Sequence, residues 1–263
     1  MFKLLSALEN DTEGMLLELY GDLAAVATMA DIVPLLGENR LIVKSGLAAL
    51  GNTQREGLLA LMQVSGVVPE TITGEQISFA LAPRINVTGR IASVDLAVEL
   101  LLCQDSAEAQ KLAEKINSLN NERKEIEADI VADIGKLIAD RPEITAARVL
   151  VVCGKDWHPG VIGITAARLV ERYRKPCIIL TDMQDGELRG SARSVEGYSI
   201  IEAIHACEAC LIKYGGHPMA AGLSMSADKL EEFRTGLEQY SKENYPSMPR
   251  LCLSVNDDIS IGD

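Results

Sequence analysis

The chain has 263 residues, 48% of them hydrophobic and 24% charged, which is the composition of one or two globular domains. Its net charge of −13 disfavours a nucleic-acid partner at first sight, because phosphate backbones attract lysine and arginine. Residues 148–224 are the exception, with nine basic and eight acidic side chains and all three histidines. We therefore expect any anionic ligand to bind there, with a less charged core segment as the open alternative.

Composition also excludes several classes of protein. No apolar run is long enough to span a membrane and no signal peptide begins the chain, so we expect no membrane partner and a cytoplasmic location. Six cysteines in a chain of this length indicate reduced thiols rather than a disulfide scaffold. Aromatic residues make up only 4% of the sequence, which disfavours an extended platform for stacking nucleobases.

The first third of the chain predicts helices joined by turns. An apolar run at 24–33 ends before Pro34, which cannot continue a helix. A turn and a second helix at 41–50 follow. Thr73 and Gln76 have the spacing of a capping box, which predicts a helix start.

Residues 106–139 predict one long helix. Their apolar residues recur at spacings of three, four or seven, without proline, and this length corresponds to about 50 Å at 1.5 Å per residue. The other faces are densely charged, so we expect the helix to lie on a surface or to bridge two domains. A coiled-coil dimer is the alternative.

After this helix the pattern changes to α/β. A β-branched run at 149–152, a helix at 161–173 and a strand at 177–180 predict one βαβ unit with parallel strands. The later predictions are a strand at 188–193, helices at 199–213 and 229–240, and a new β module beginning with the weak alternation of Leu251, Leu253 and Val255.

The segment 214–222 carries the most specific local signal for chemistry. Gly215 and Gly216 let a backbone approach a ligand closely and expose N–H groups to an anion, and His217 can donate to a phosphate oxygen. A helix terminus with an incidental histidine is the alternative.

Two further segments combine hydrogen-bond donors with a strand end. Arg189 and Arg193 suit bidentate phosphate contacts, and Ser191 adds a hydroxyl donor; solubilising charges on a strand edge are the alternative. His158 lies in a strand-to-helix loop where helix N–H groups favour anions. There the alternative is a structural loop that Trp157 anchors.

The remaining candidates are weaker. Arg84 and Arg90 flank a predicted turn. Asp31 is either a metal ligand or, as the pattern alone favours, a polar residue that ends a helix. Cys207 and Cys210 lie in a predicted helix without a second pair, so we expect no zinc site.

Several stretches, taken in order, resemble the RecJ-type single-stranded-DNA-specific exonucleases of the DHH phosphoesterase superfamily. The stretches span nearly the whole chain and are 27–35, 83–90, 119–127, 157–164, 190–194 and 215–222. The last is shared by proteins with the family's DHHA1 domain, whereas 27–35 and the long helix are more specific to the RecJ type.

The resemblance implies an α/β fold with three parts and a truncated fourth. These are the end of a DHH lobe at 1–105, a bridging helix at 106–140, a DHHA1 lobe with a small mixed sheet at 141–245 and the start of an OB-like module at 246–263. It also implies 5′→3′ hydrolysis of single-stranded DNA with Mn²⁺ or Mg²⁺, in DNA repair and recombination.

Site roles follow from the same resemblance. Asp31 corresponds to a metal ligand. The 5′-terminal phosphate is assigned to Ser191 and Arg193, the nearby backbone to Arg84 and Arg90, and a phosphate at the cleft to His217 with Gly215 and Gly216; His158 is a further candidate for substrate binding.

The chain also departs from the family pattern, because it has no Asp-His dipeptide and so lacks the Asp-His-His triplet. We therefore expect a piece of a longer enzyme, inactive alone, whose catalytic lobe would come from elsewhere if the gene is split. The alternatives are a DHHA1 phosphoesterase of short oligonucleotides or cyclic dinucleotides, and a non-catalytic binding or assembly module.

Overall fold

A computed structural model describes residues 2–9, 14–184 and 186–249, and its contacts divide the chain into two units, one up to Lys124 and one from Glu125. Each unit has its own hydrophobic core. The four-part division expected from the sequence stays a prediction, and the alternation at 251–255 lies outside the described residues. Among those residues, no helix is both long and apolar enough to cross a lipid bilayer.

The first unit is helical. Its helices are α1 (Phe2–Leu8), α2 (Met15–Ala30), α3 (Gly37–Gly51), α4 (Glu56–Ser65), α5 (Gly74–Gln76), α6 (Ala82–Ile91), α7 (Asp95–Leu102) and the first part of α8 (Ser106–Asp140). The predicted capping box is confirmed, since the Thr73 side chain accepts from the Gln76 N–H and the Gln76 side chain accepts from the Thr73 N–H. α3 begins earlier than the sequence predicted, at Gly37.

The prediction of a turn between Arg84 and Arg90 is wrong, because both residues lie within α6. α5 runs through a π-helical segment, Ile77–Leu81, directly into α6. Pro83 lies in the first turn of α6, where a residue without an N–H is tolerated. Proline therefore follows the π segment here instead of ending the helix.

The long helix is confirmed as α8, which has 35 residues. It begins after Asp105, whose Oδ1 accepts a hydrogen bond of 2.8 Å from the Glu108 N–H and so caps the helix. Ala109, Ala113 and Ile116 are buried in the first unit.

The second unit is an α/β fold, as expected. Its elements are the last part of α8, α9 (Glu143–Ala146), β1 (Leu150–Lys155), α10 (Pro159–Tyr173), β2 (Cys177–Asp182), β3 (Glu187–Arg193), α11 (Ile200–His205), β4 (Leu211–His217), β5 (Ala220–Ser226) and α12 (Leu230–Asn244). The strand order in the described residues is β1-β2-β3-β5-β4, with β1 and β2 parallel and the other pairs antiparallel. The βαβ unit and the small mixed sheet are confirmed.

The predicted helix 199–213 is wrong in its second half. α11 ends at His205, a 3₁₀ turn follows at Glu208–Cys210, and the chain then enters β4. Gly215 and Gly216 are poor helix formers, and β4 has an antiparallel partner in β5. Tertiary pairing therefore overrides the apolar spacing that favoured a helix.

Cys207 and Cys210 lie beyond the end of α11, at the start and end of the 3₁₀ turn, rather than within an α-helix. Both are buried. Burial raises the pKa of Cys207 to about 11 and raises the pKa of Cys210 as well. The two thiols therefore remain protonated at neutral pH and contribute to the core.

Candidate functional site

The register of three strands collects the polar residues of the second unit on one side of the sheet. Residues directly opposite each other in an antiparallel pair point to the same side. This side of β3, β5 and β4 is here called the polar sheet face. Its members are Glu187, Arg189, Ser191 and Arg193 on β3; Ser226, Ser224, Gly222 and Ala220 on β5; and Lys213, Gly215 and His217 on β4.

The alternate residues of the same strands point to the other side, where the core lies. Leu188, Ala192, Ala221, Leu223 and Met225 are buried there. α11 and α12 supply Ile204, Phe233 and Leu237 to the same core. On the polar sheet face, by contrast, Arg189, Lys213, Gly215, His217 and Gly222 are exposed, and Ser191 and Arg193 are partly covered.

The middle of the polar sheet face has almost no side chains. Ser191, Gly222 and Gly215 lie side by side across the three strands. A Cβ atom built on Gly215 would meet nothing within 4 Å, and one built on Gly222 would meet only the Gly190 carbonyl oxygen at 3.9 Å. A flat group can therefore approach the backbone at this row.

Cationic or ionisable side chains flank this bare row at both ends. Arg193 on β3 and His217 on β4 lie on either side of Ala220, and Arg189 and Lys213 lie on either side of Ser224. Four residues along a strand separate the two ends, or about 13 Å at ~3.3 Å per residue. A cavity of about 440 Å³ adjoins the second end and is lined by Arg189, Lys213, Gly215, Gly222 and Ser224, among others.

At the first end, α10 packs against the guanidinium and hydroxyl groups. The Arg193 Nη1 donates to Ser191 Oγ at 3.2 Å and to the Ala192 carbonyl oxygen at 2.8 Å. A Cβ on Gly163 of α10 would come to 2.9 Å from Ser191 Oγ and 3.1 Å from Arg193 Nη2. Gly163 therefore leaves the space that these two side chains occupy.

Sequence reasoning missed Gly163. A glycine in a helix interior costs about 1 kcal/mol relative to alanine, so its presence in an otherwise regular helical pattern was a usable signal for close packing.

His158 caps the same helix. Its Nδ1 accepts a hydrogen bond of 3.1 Å from the Gly160 N–H, so the proton of a neutral ring lies on Nε2, which can donate to a ligand. The N–H groups of Val161 and Ile162 are bonded to the His158 carbonyl oxygen. The first amides of α10 are thus used within the protein, and only the dipole of the helix remains to favour an anion.

The two candidate arginines of the first unit, Arg84 and Arg90, do not share a face. Arg84 and Arg90 are six residues apart on α6, or about a third of a turn around its axis. Arg84 Nε donates to Asn117 Oδ1 at 2.9 Å and Nη1 donates to the Ala80 carbonyl oxygen at 2.7 Å, which fastens α6 to α8. Burial lowers the pKa of Arg84. Arg90 is exposed.

Asp31 lies exposed directly after the last residue of α2, and Ile32 follows with a φ of +52°. Within the part of the chain that the structure describes, no group of three or more His, Cys, Asp and Glu side chains is arranged to hold a metal ion. Two ions in a hydrolytic centre need several oxygen or nitrogen ligands. The described residues therefore do not fit such a centre.

The sequence model of the DHHA1 domain matches residues 146–243, which include the whole polar sheet face. RecJ of Bacillus subtilis (strain 168), named a single-stranded-DNA-specific exonuclease, is 40% identical over 239 residues, which cover 90% of this chain and 30% of that protein. The protein of the same name from Escherichia coli (strain K12) is 36% identical over 220 residues, covering 81% of this chain and 38% of its own.

Solved structures agree with these relatives. RecJ from Thermus thermophilus in complex with Mn²⁺ matches with a TM-score of 0.76 and 36% identity over 86% of this chain and 33% of that one. An exonuclease RecJ bound to manganese matches with a TM-score of 0.72 and 36% identity, over 86% of this chain and 55% of that one. The chain spans about a third of the length of the curated relatives it matches.

Proposed function

Because the chain contains a DHHA1 domain and is homologous to the RecJ-type single-stranded-DNA-specific exonucleases over most of its length, we propose that it is part of such an exonuclease. Its own task in the reaction is to bind the DNA strand by its phosphates on the polar sheet face. The enzyme acts 5′→3′ in DNA repair and recombination in the cytoplasm.

The observation that carries this proposal is the arrangement at Arg193. Its guanidinium is hydrogen-bonded to Ser191 Oγ and fills the space beside Gly163, so both donors are held before a ligand arrives. A phosphate at the strand's 5′ end accepts from Arg193 and Ser191, and His217 lies across Ala220 from them. Phosphate contacts carry no base information, so this binding is independent of sequence.

Hydrolysis is not assigned to this chain. Mn²⁺ or Mg²⁺ would polarise the scissile phosphate and activate a water in the whole enzyme. Asp31 is the one ligand that the resemblance assigns to this chain, and the described residues do not supply the others. The chain's contribution is to hold the strand in place, with Arg90 and His158 as further candidates for contacts with it. The bonds of Arg84 to Asn117 and Ala80 favour a structural role for that side chain.

A binding assay tests this function. We expect the chain to bind a 5′-phosphorylated thymidine oligonucleotide in EDTA, as measured by fluorescence anisotropy, and to bind the 5′-hydroxyl strand more weakly. Arg193→Gln should weaken binding of the phosphorylated strand about tenfold and affect the 5′-hydroxyl strand far less. Equal losses for both strands would contradict a 5′-phosphate contact. Rapid digestion of single strands in Mn²⁺ by the isolated chain would contradict the proposal that it binds the strand without hydrolysing it.

The two alternatives are not favoured. The relatives described above are RecJ-type exonucleases, whereas a phosphoesterase of short oligonucleotides would cleave dinucleotides in preference to long strands. An assembly module would form a stable dimer through 106–139 and would have no affinity for DNA at low salt. Cleavage assays on both substrate lengths and sedimentation of the chain separate these cases.

A further inference from the structure

The far end of the polar sheet face repeats the arrangement of the first end. At the first end, Arg193, Ala220 and His217 form a row of a basic residue on β3, a small residue on β5 and a second basic residue on β4. At the far end, the three strands again carry a basic, a small and a second basic residue, namely Arg189, Ser224 and Lys213.

The far row has the dimensions of a phosphate subsite. β3 and β4 are separated by β5, so the Arg189 and Lys213 backbones lie about 9–10 Å apart. A phosphate above Ser224 is within reach of both long side chains and of the Ser224 hydroxyl. The cavity at this end is about 440 Å³, and Glu187 also lines it. Arg189 and Lys213 both line this cavity and are exposed.

We propose that Arg189, Ser224 and Lys213 form a second phosphate subsite, which binds the strand two nucleotides from its 5′ end. The distance between the two rows is about 13 Å, measured along the strands. Adjacent phosphates of a strand are bridged by a single sugar and do not reach across this span. The two rows therefore bind the first and third phosphates, and the second phosphate with the two intervening nucleosides lies over Gly215 and Gly222.

This inference rests on the proposed function and narrows its substrate class. A strand needs three phosphates to occupy both rows, so the face selects 5′-phosphorylated strands of at least three nucleotides. Mononucleotides and dinucleotides occupy only the first row, and a product of that size dissociates more easily than the strand from which it came.

The test compares 5′-phosphorylated thymidine mono-, di- and trinucleotides, with affinities measured by calorimetry in EDTA. We expect the trinucleotide to bind about fivefold to tenfold more tightly than the dinucleotide. This gain in affinity from the dinucleotide to the trinucleotide is here called the step. It should disappear in the double variant R189Q/K213Q, while affinity for the dinucleotide stays unchanged. It should also disappear when the third phosphate of the trinucleotide is replaced by a neutral methylphosphonate.

A matched control keeps the result independent of net charge. R172Q/K242Q removes one arginine and one lysine from the last turns of α10 and α12, outside the three strands of the polar sheet face, and should keep the step. For longer strands, a plot of the logarithm of affinity against the logarithm of salt concentration has a negative slope. In R189Q/K213Q, but not in the control, this slope should become shallower by about 0.7 for each phosphate contact removed.

Several outcomes overturn the subsite. They are a step that persists in R189Q/K213Q, a step that is lost equally in R172Q/K242Q, and a methylphosphonate strand that binds as tightly as the natural one. If the dinucleotide binds and its binding requires Arg193, but the trinucleotide binds no more tightly, this inference fails and the proposed function stands. If no strand binds at all, both fail.

Discussion

The polar residues of the two units are used in different ways. In the first unit, Asp22 is buried and accepts from Thr53 Oγ1 and from Arg55 Nε, both at 3.0 Å. Arg84 is likewise bonded to its neighbours. In the second unit, strand register brings basic side chains together on an accessible face. A charged motif thus indicates binding only when the fold collects its members on a surface.

The largest effect that we expect concerns Asp22. Asp22→Ala removes a buried carboxylate and leaves Arg55 and Thr53 without their partner, which should lower the free energy of unfolding by about 3 kcal/mol. Urea titration measures this loss. Glu38→Ala breaks the exposed pair with Lys3 and should cost less than about 1 kcal/mol. If Asp22→Ala left stability unchanged but weakened DNA binding, the contrast between the units would be wrong.

An intermediate effect is expected at Gly163. Gly163→Ala places a methyl group against Ser191 and Arg193, displacing both from the position that binds the 5′-phosphate, so affinity for the phosphorylated strand should fall about tenfold. Gly135→Ala on α8 is the control, because its Cβ meets nothing within 4 Å. That variant should bind normally and gain about 0.5–1 kcal/mol of stability. Undiminished binding by Gly163→Ala would show that the packing of α10 does not position the two donors.

The smallest effect should come from Arg84. Arg84→Gln loses the bonds to Asn117 and Ala80, which should cost about 1 kcal/mol of unfolding free energy without changing affinity for DNA. Arg40→Gln on α3 serves as the comparison, because Arg40 is exposed and its replacement should cause no loss of stability. A drop in affinity at unchanged stability would assign Arg84 to the DNA backbone, as the family resemblance implies.

Much of the fold follows from local pattern. The apolar spacing in α8, the β-branched run before α10 and the capping box at Thr73 are signals within a single element, and all three are confirmed. The end of α11 and the strand β4 were not predictable in this way, because pairing with β5 decides the conformation of Gly215 and Gly216.

For the same reason, only some of the candidate site residues could be singled out from the sequence. Ser191, Arg193 and His217 could be singled out as donors from their residue types and their motifs. That they share one face with Lys213, and that Gly163 lies against two of them, depends on strand register and helix packing between residues far apart in sequence. Neither arrangement can be recognised from residues that are neighbours in the sequence.

The paired glycines of β4 have a consequence for motion. Glycine lowers the strand's intrinsic preference for extended structure, and β4 lies at one edge of the described sheet with only β5 as partner. Its backbone amides should therefore open more often than those of β2, which has a partner on each side, and exchange their hydrogens faster. A DNA strand bound to both rows would hold β4 against β5. The backbone amides of β4 should therefore exchange their hydrogens more slowly when DNA is bound to the polar sheet face.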